Sequence, residues 1–561
     1  MNVFNLKKII MVNKGLISGF IFSVFAMVCG YGQTKVNIPT IRVNSLGFLP
    51  GATKEATLTD NADSFYVCNA VNRKVVFSGR TTPAVYQKDV NQTVRIADFS
   101  AVSKKGTYYL ETSGKGRSVV FPINKRVYDD AYRVTMRAFY LWRCGMNVSG
   151  TFNGVCYKHG ACHLDDGYED YIGWPGRKRN GVGGWHDAGD YGKYVVNAGV
   201  TMGILFMVWE HFGPTINKIR LNLPRTAPGY PEFLEELKWE TDWLLKMQYP
   251  DGSGRVSHKL TRTNFADFIM ADKDEGERYF ADWTSAATAD FVAVLARAAR
   301  AFGPYDKAYA LKCLNAAVLS YNFLRKNPDN KTYVNPDFKT GGYETDDKDD
   351  RLWAAAEMWE TTGKRVYLKD FEERAGEMNY KVEADWDFGT VSNLGMFTYL
   401  LSGRQGKNAT VERAIRANTI KTADAIVNTA RKDVYRRPLG GIYYWGCNGT
   451  VARQAVNLYV ASALAKNRKY TETALDIIGH LLGRNYYGRS YVTDVGVNPP
   501  MHPHDRRSAS DGIEAPWPGY LVGGGLTATD WVDEQANYSH NEIAINWQAP
   551  LVFVLAWFVI R

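Results

Sequence analysis

The sequence predicts a multidomain chain: an export signal over residues 1–33, a small β-sandwich over 36–124, and an all-α domain over 125–561 that can close as an (α/α)6 barrel. Three observations predict it. Seven short runs rich in β-branched and aromatic residues, separated by turn formers, fill 36–124. From Val127 onward the apolar residues fall at helical spacing instead. Twelve helix-length segments follow, enough for six hairpins.

The signal comes first in the chain. Lys7, Lys8 and Lys14 precede an apolar stretch from Gly15 to Val28, followed by small residues and Gln33. That order is the pattern of an export signal. The stretch is shorter than the ~20 apolar residues of a membrane span. The expectation is an exported protein, whether periplasmic, cell-surface or secreted, with no transmembrane span. Cys29 stands where a lipid anchor would attach, but Ala26, Met27 and Val28 before it make a poor lipobox.

The strand runs are IRVNSLGF, KEATLTD, SFYVCNA, KVVFSGR, TVRIADF, GTYYLET and SVVFPIN. None of them gathers carboxylates, histidines or a Gly-rich loop, so the sandwich reads as a structural module. The first helix lies in YDDAYRVTMRAFYLWRCG, and the others begin near Tyr194, Pro231, Thr284, Asp306, Asp349, Tyr367, Val391, Val411, Val451, Thr471 and Asn541. No Pro- or Ser-rich linker separates the two parts, so they are expected to pack together. The chain shows no tandem repeat.

With 45% hydrophobic and 22% charged residues, a chain of 561 can bury a full core. The 15 Trp and 34 Tyr suit either a large helical core or a groove lined with flat rings for sugars. The net charge of +10 comes from basic residues interleaved with acidic ones. Nucleic acid would need them clustered on one face, so it is excluded as a partner. The 7 cysteines include Cys29; losing it leaves an even set that could pair as disulfides. Cys162 adjoins His163, with His186 downstream, so metal binding competes with pairing.

Two segments carry chemistry. GGWHDAGDYGKYV sets Asp187 and Asp190 three residues apart between glycines. Such a pair can hold a water and take its proton, although a plain turn or a calcium loop would have the same pattern. Near the other end Glu542 stands at the start of a strongly apolar helix. There it could keep its proton against apolar walls, or simply satisfy the helix dipole.

Together these segments resemble the active site of family nine glycoside hydrolases. SYVTDVGVNPPMHPHDR, from Ser490 to Arg506, fits that family's His-containing signature. From Trp531, the positions Asp533, Tyr538, Glu542 and Ala544 fit its second signature, and PGYLVGG is another familiar stretch. IRVNSLGFLPGATKEATL resembles the start of the immunoglobulin-like module that precedes one branch of the family. Three departures stand out: Gln548 where Asn is expected, His504-Asp505 in place of a His-His pair, and Gly525-Leu526 after LVGG in place of Pro-Asn.

The resemblance implies an inverting hydrolase of internal β-1,4-glucosidic bonds in cellulose-like, mixed-linkage or xyloglucan backbones. Asp190 would be the general base, Asp187 would orient the water, and Glu542 would be the acid. His504, Arg506 and Asp533 would meet the sugar. The resemblance also implies structural zinc on Cys144, Cys162, His163 and His186. It further implies calcium on Asp349 and Asp350, with Asp387 as a third ligand. The expected partner is a β-glucan polysaccharide or oligosaccharide, met by a monomer. An exo-acting β-glycosidase and a non-catalytic glycan-capture protein are the rival readings.

Overall fold

The computed structural model describes residues 38–559, Pro228 excepted; the expected signal and Cys29 lie outside the described residues. The first part is the expected sandwich, with eight strands: β1 (Ile41–Arg42), β2 (Glu55–Leu58), β3 (Ser64–Asn69), β4 (Val75–Arg80), β5 (Val85–Gln87), β6 (Gln92–Asp98), β7 (Gly106–Thr112) and β8 (Phe121–Ile123). They form two sheets in the orders β1-β2-β6-β5 and β4-β3-β7-β8. Alternation turns Phe65 and Val67 of β3 inward. Phe48 sits edge-on to Phe99 and Phe121, with centroids 5.2 and 5.3 Å apart. The strand absent from the sequence reading is β5, because Val85 and Tyr86 are both exposed and give no buried face to read.

Among the described residues the helical part has twelve helices of ten residues or more. They are α1 (Asp129–Leu141), α2 (Val195–Ile216), α3 (Glu232–Met247), α4 (Ser285–Phe302), α5 (Lys307–Lys326), α6 (Lys348–Thr362), α7 (Arg365–Glu377), α8 (Ser392–Leu401), α9 (Ala409–Lys432), α10 (Cys447–Leu464), α11 (Arg468–Leu481) and α14 (Ile545–Phe558). Two short helices, α12 (Arg506–Ser510) and α13 (Tyr538–Asn541), went unforeseen. α2, α4, α6 and α8 pack in sequence, and α14 packs between α10 and α2. These inner helices are buried nearly all round, whereas α5, α7 and α9 bury one stripe. α2 is long and apolar enough to cross a membrane, yet it lies inside the barrel.

Side-chain caps start several helices: Thr284 accepts from Ala287, Asp306 from Tyr309 and Asn408 from Thr410. The sandwich is tied directly to the barrel. Ser45 Oγ donates to Leu482 O at 2.6 Å, Thr57 Oγ1 to Val434 O at 2.7 Å, and Arg484 pairs with Glu55 at 2.9 Å.

One local expectation is corrected. The apolar helix begins at Ile545, and Glu542 lies ahead of it. Residues 542 and 543 are extended, bridging His504 and Val522. Glu542 is therefore no first-turn residue of α14 and does not cap its dipole.

Candidate active site

The N-terminal ends of the inner helices open into a cleft of about 700 Å³ that Asp187, Asp190 and Glu542 all line. Its walls are largely aromatic, with Tyr343, Trp386, Phe388, Tyr444, Trp445 and Trp547.

The aspartate loop is closed on itself by a hydrogen bond from Asp187 N to Gly192 O at 3.0 Å. It is joined to α14 by Ile545 N donating to Asp187 O at 2.9 Å. The buried Asp187 carboxylate accepts from Asn197 Nδ2 at 2.6 Å and from the Tyr343 hydroxyl at 2.5 Å. Burial, and then the nearby charge of Asp190, push its pKa up to about 8 against those two donors. Asp190 accepts from Gly192 N at 2.9 Å and the Tyr194 hydroxyl at 3.1 Å. Both bonds fall on Oδ2, and Asp190 lines the cleft. The raised pKa keeps a proton on the Asp187 carboxyl near neutral pH.

Glu542 approaches from the far end of the chain. Burial first, and then the charges of Asp190 and Asp187, hold its carboxyl well above the usual range, opposed by Arg506 and by the N–H of Gly189. Its proton is held well above the usual carboxyl range, as a general acid requires. Gly189 is the joint between the two sides. Its carbonyl accepts from Arg506 N at 3.1 Å and Arg506 Nη1 at 2.9 Å. A Cβ on Gly189 would lie 1.9 Å from His504 O.

The remaining expected sugar-binding residues sit around this joint. Arg506 is buried, and its Nε donates to Ala266 O at 2.8 Å. It braces the aspartate loop through Gly189. His504 Nδ1 is 2.7 Å from Gln535 O, and its ring lies edge-on to Phe268. Asp533 does not line the cleft. Its carboxylate accepts from Arg489 at 3.0 Å, Met501 N at 2.8 Å, His502 N at 3.0 Å and Asn541 Nδ2 at 3.0 Å. With four donors on two oxygens it holds the segment beside Glu542.

The carboxylates expected to hold calcium fall in two places. Asp350 lies buried against Asp290, and Asp349 accepts from Val391 N at 2.5 Å. Asp387 instead belongs to the cleft, where it pairs with Arg453 at 2.8 Å and accepts from Asn546 at 2.9 Å. Asp349 and Asp350 interact with each other, whereas Asp387 has separate partners on the cleft.

Cys144, Cys162, His163 and His186 do converge. Their four ligand atoms lie within 4.8 Å of one another, all in buried side chains. Three separations are 3.5 Å (Cys144 Sγ to His163 Nδ1), 3.9 Å (Cys162 Sγ to His186 Nε2) and 3.2 Å (His186 Nε2 to His163 Nδ1). A tetrahedral zinc with N and S ligands needs edges of about 3.4–3.8 Å. The Nε2 of His163 is 3.2 Å from Asp274, the kind of outer carboxylate that orients a ligating imidazole. The donor set fits zinc. No disulfide forms among the described cysteines.

Sequence reasoning missed Tyr194, Asn197, Tyr343 and Asn546. Tyr194 was within reach, four residues after Asp190 in the same motif. Nothing near Tyr343 in GGYETDD points to Asp187.

Comparison with known proteins gives a consistent picture. The family model described as "Glycosyl hydrolase family 9" matches residues 128–555, and "Cellulase N-terminal ig-like domain" matches 37–117. The chain is 54% identical over 521 residues to "Endoglucanase D" of Acetivibrio thermocellus, covering 92% of this chain and 83% of the relative. It is 31% identical to the "Xyloglucan-specific endo-beta-1,4-glucanase BoGH9A" of Bacteroides ovatus, covering 95% and 96%. The solved structure of a "Zn-binding triple mutant of GH family 9 endoglucanase J30" superposes with a TM-score of 0.86 at 32% identity, covering 91% of this chain and 100% of that one.

Proposed function

The chain belongs to glycosyl hydrolase family 9 and is an endo-acting glucan hydrolase, and from that premise we propose how its residues divide the work. Asp190 takes a proton from a water held at its carboxylate. That water attacks the anomeric carbon from one face while Glu542 protonates the departing glycosidic oxygen on the other, and the configuration inverts. Asp187, gripped by Tyr343 and Asn197, sets the loop and the water. The observation that carries this reading is the contrast in environment between Asp190 and Glu542. Early-time NMR of the products should show the α-anomer appearing first; a β-anomer appearing first would rule the mechanism out.

The substrate we propose is a β-1,4-glucan backbone, with its apolar sugar faces against the Trp and Tyr walls of the cleft. The xyloglucan-specific relative supports acceptance of a decorated backbone. Comparing kcat/KM on xyloglucan, mixed-linkage glucan and a soluble cellulose derivative ranks the three.

We also propose that Cys144, Cys162, His163 and His186 hold structural zinc. Zinc with four protein ligands has no open position for water, so it supplies a cross-link. His186 N donates to Trp142 O at 2.8 Å and Cys144 N to Gly184 O at 2.8 Å, so the ligands join α1 to the aspartate loop. About one zinc per chain is expected on metal analysis. Chelation should lower Tm, and readded zinc should restore it. A zinc-free sample of unchanged Tm would count against the site. Export follows from the order of Lys7, Lys8 and the Gly15–Val28 stretch. Mature protein should begin after about residue 33, and retention of residues before Cys29 would contradict this.

A further inference from the structure

One segment of the cleft wall also lines a groove against the β-sandwich. Tyr444 and Trp445 line the cleft, while Gly440 and Gly441 of the same segment line a second groove of about 630 Å³. Gly441 and Tyr444 are three residues apart, so their Cα atoms lie within about 11 Å of one another. The other side of this groove is β5, with Val85 and Tyr86 facing Thr429 and Lys432 at the end of α9. Exposed apolar side chains mark the route from one to the other: Trp445 is 50% exposed, Ile442 55% and Tyr86 59%. At Gly441 there is open space where a Cβ would stand.

The groove is built on fixed backbone. Gln87 Nε2 donates to Asp433 Oδ2 at 2.9 Å, and Gln87 Oε1 accepts from Val434 N at 2.7 Å. The sandwich strand and the barrel turn thus move together. Lys88, Asp89, Lys432 and Thr429, which line the groove with Tyr86, offer both donors and acceptors. A flat ring beside mixed hydrogen-bonding groups suits a sugar, which has apolar C–H faces and a rim of hydroxyls.

We propose that this groove is a distal track for the glucan chain whose bond is cut between Asp190 and Glu542, with Tyr86 of the sandwich as its ring platform. The track rests on the glucan reading above and deepens it. A short oligosaccharide fills the cleft and stops, whereas a polymer runs on to Tyr86.

The test compares substrate lengths in Tyr86→Ala and Tyr86→Phe. On a long soluble β-1,4-glucan, Tyr86→Ala should raise KM by about fivefold with kcat unchanged, as loss of one aromatic platform implies. Its kinetics on cellotetraose should match the parent enzyme. Tyr86→Phe keeps the ring and should keep most of the polymer KM. Tm should be unchanged in both, since among the described residues the Tyr86 hydroxyl makes an exposed hydrogen bond to Asn91 at 3.1 Å. An unchanged polymer KM in Tyr86→Ala, or an equal loss on polymer and cellotetraose, would overturn the track. Affinity electrophoresis through gels containing the same glucan reads the contact without turnover. If Tyr86→Ala migrates faster than the parent there, the track stands even where the assigned catalytic roles fail; equal migration overturns it.

Discussion

The two sides of the cleft are held in opposite ways. The aspartate loop is gripped by side chains: Tyr194 on Asp190, Tyr343 and Asn197 on Asp187, and the Cys/His cluster one residue before Asp187. Glu542 is held by its backbone instead, through its bridge to His504 and through Gly523 N donating to its carbonyl at 2.9 Å. A base that must stay charged and aimed gains from donors on its oxygens. An acid that must keep its proton gains from burial and from neighbouring negative charge. The difference is what lets carboxylates within one cleft do opposite jobs at one pH.

That contrast can be broken from either side. The largest effect is expected from Asp190→Asn, which leaves the water without a base. Its kcat should fall by about 10⁴-fold on glucans and on aryl glycosides alike, measured as reducing ends and released phenol. Next is Gly189→Ala. The Cβ meets His504 O, so the two sides must move apart, and about a hundredfold loss in kcat is expected. An unchanged kcat there would mean the two sides are not jointly positioned. Tyr343→Phe removes one donor from Asp187 and should cost about tenfold in kcat. Because that donor lowers the Asp187 pKa, its loss should move the Asp187 titration to higher pH.

The smallest effect concerns stability. The folded Glu542 pKa lies above its ordinary 4.5, so its contribution is fully present below that value and is lost as pH rises through the raised one. Glu542→Gln cannot ionise and escapes that loss. Its Tm should match the parent near pH 4 and exceed it by about a degree or two above neutrality, read by calorimetry.

The sequence showed unequal parts of this. The inner helices were legible because long apolar segments have few other places to go. The motif residues Asp187, Asp190 and Glu542 were legible because glycines and an apolar run flank them. β5 was not, being short and exposed on its first two residues. The partners of Asp533 and Asp387 were not legible for one reason: a carboxylate in a motif looks the same whether it meets a ligand or protein donors. Its partners Arg489 and Asn541, or Arg453 and Asn546, are chosen by the folded chain. Tyr343 reaches Asp187 across 156 residues, a separation that carries no local pattern.

The division of labour across the cleft is tested most directly by Glu542→Gln on two substrates. A glucan leaves as a basic alkoxide and needs the acid, whereas a dinitrophenyl β-cellobioside leaves readily without it. The variant should lose more than about 10³-fold in kcat/KM on the glucan and less than about tenfold on the aryl glycoside. The parent should lose glucan activity, but little aryl-glycoside activity, as pH rises through the raised Glu542 pKa. Equal losses on both substrates, with the parent's pH profile retained, would contradict the assignment of Glu542 as the acid.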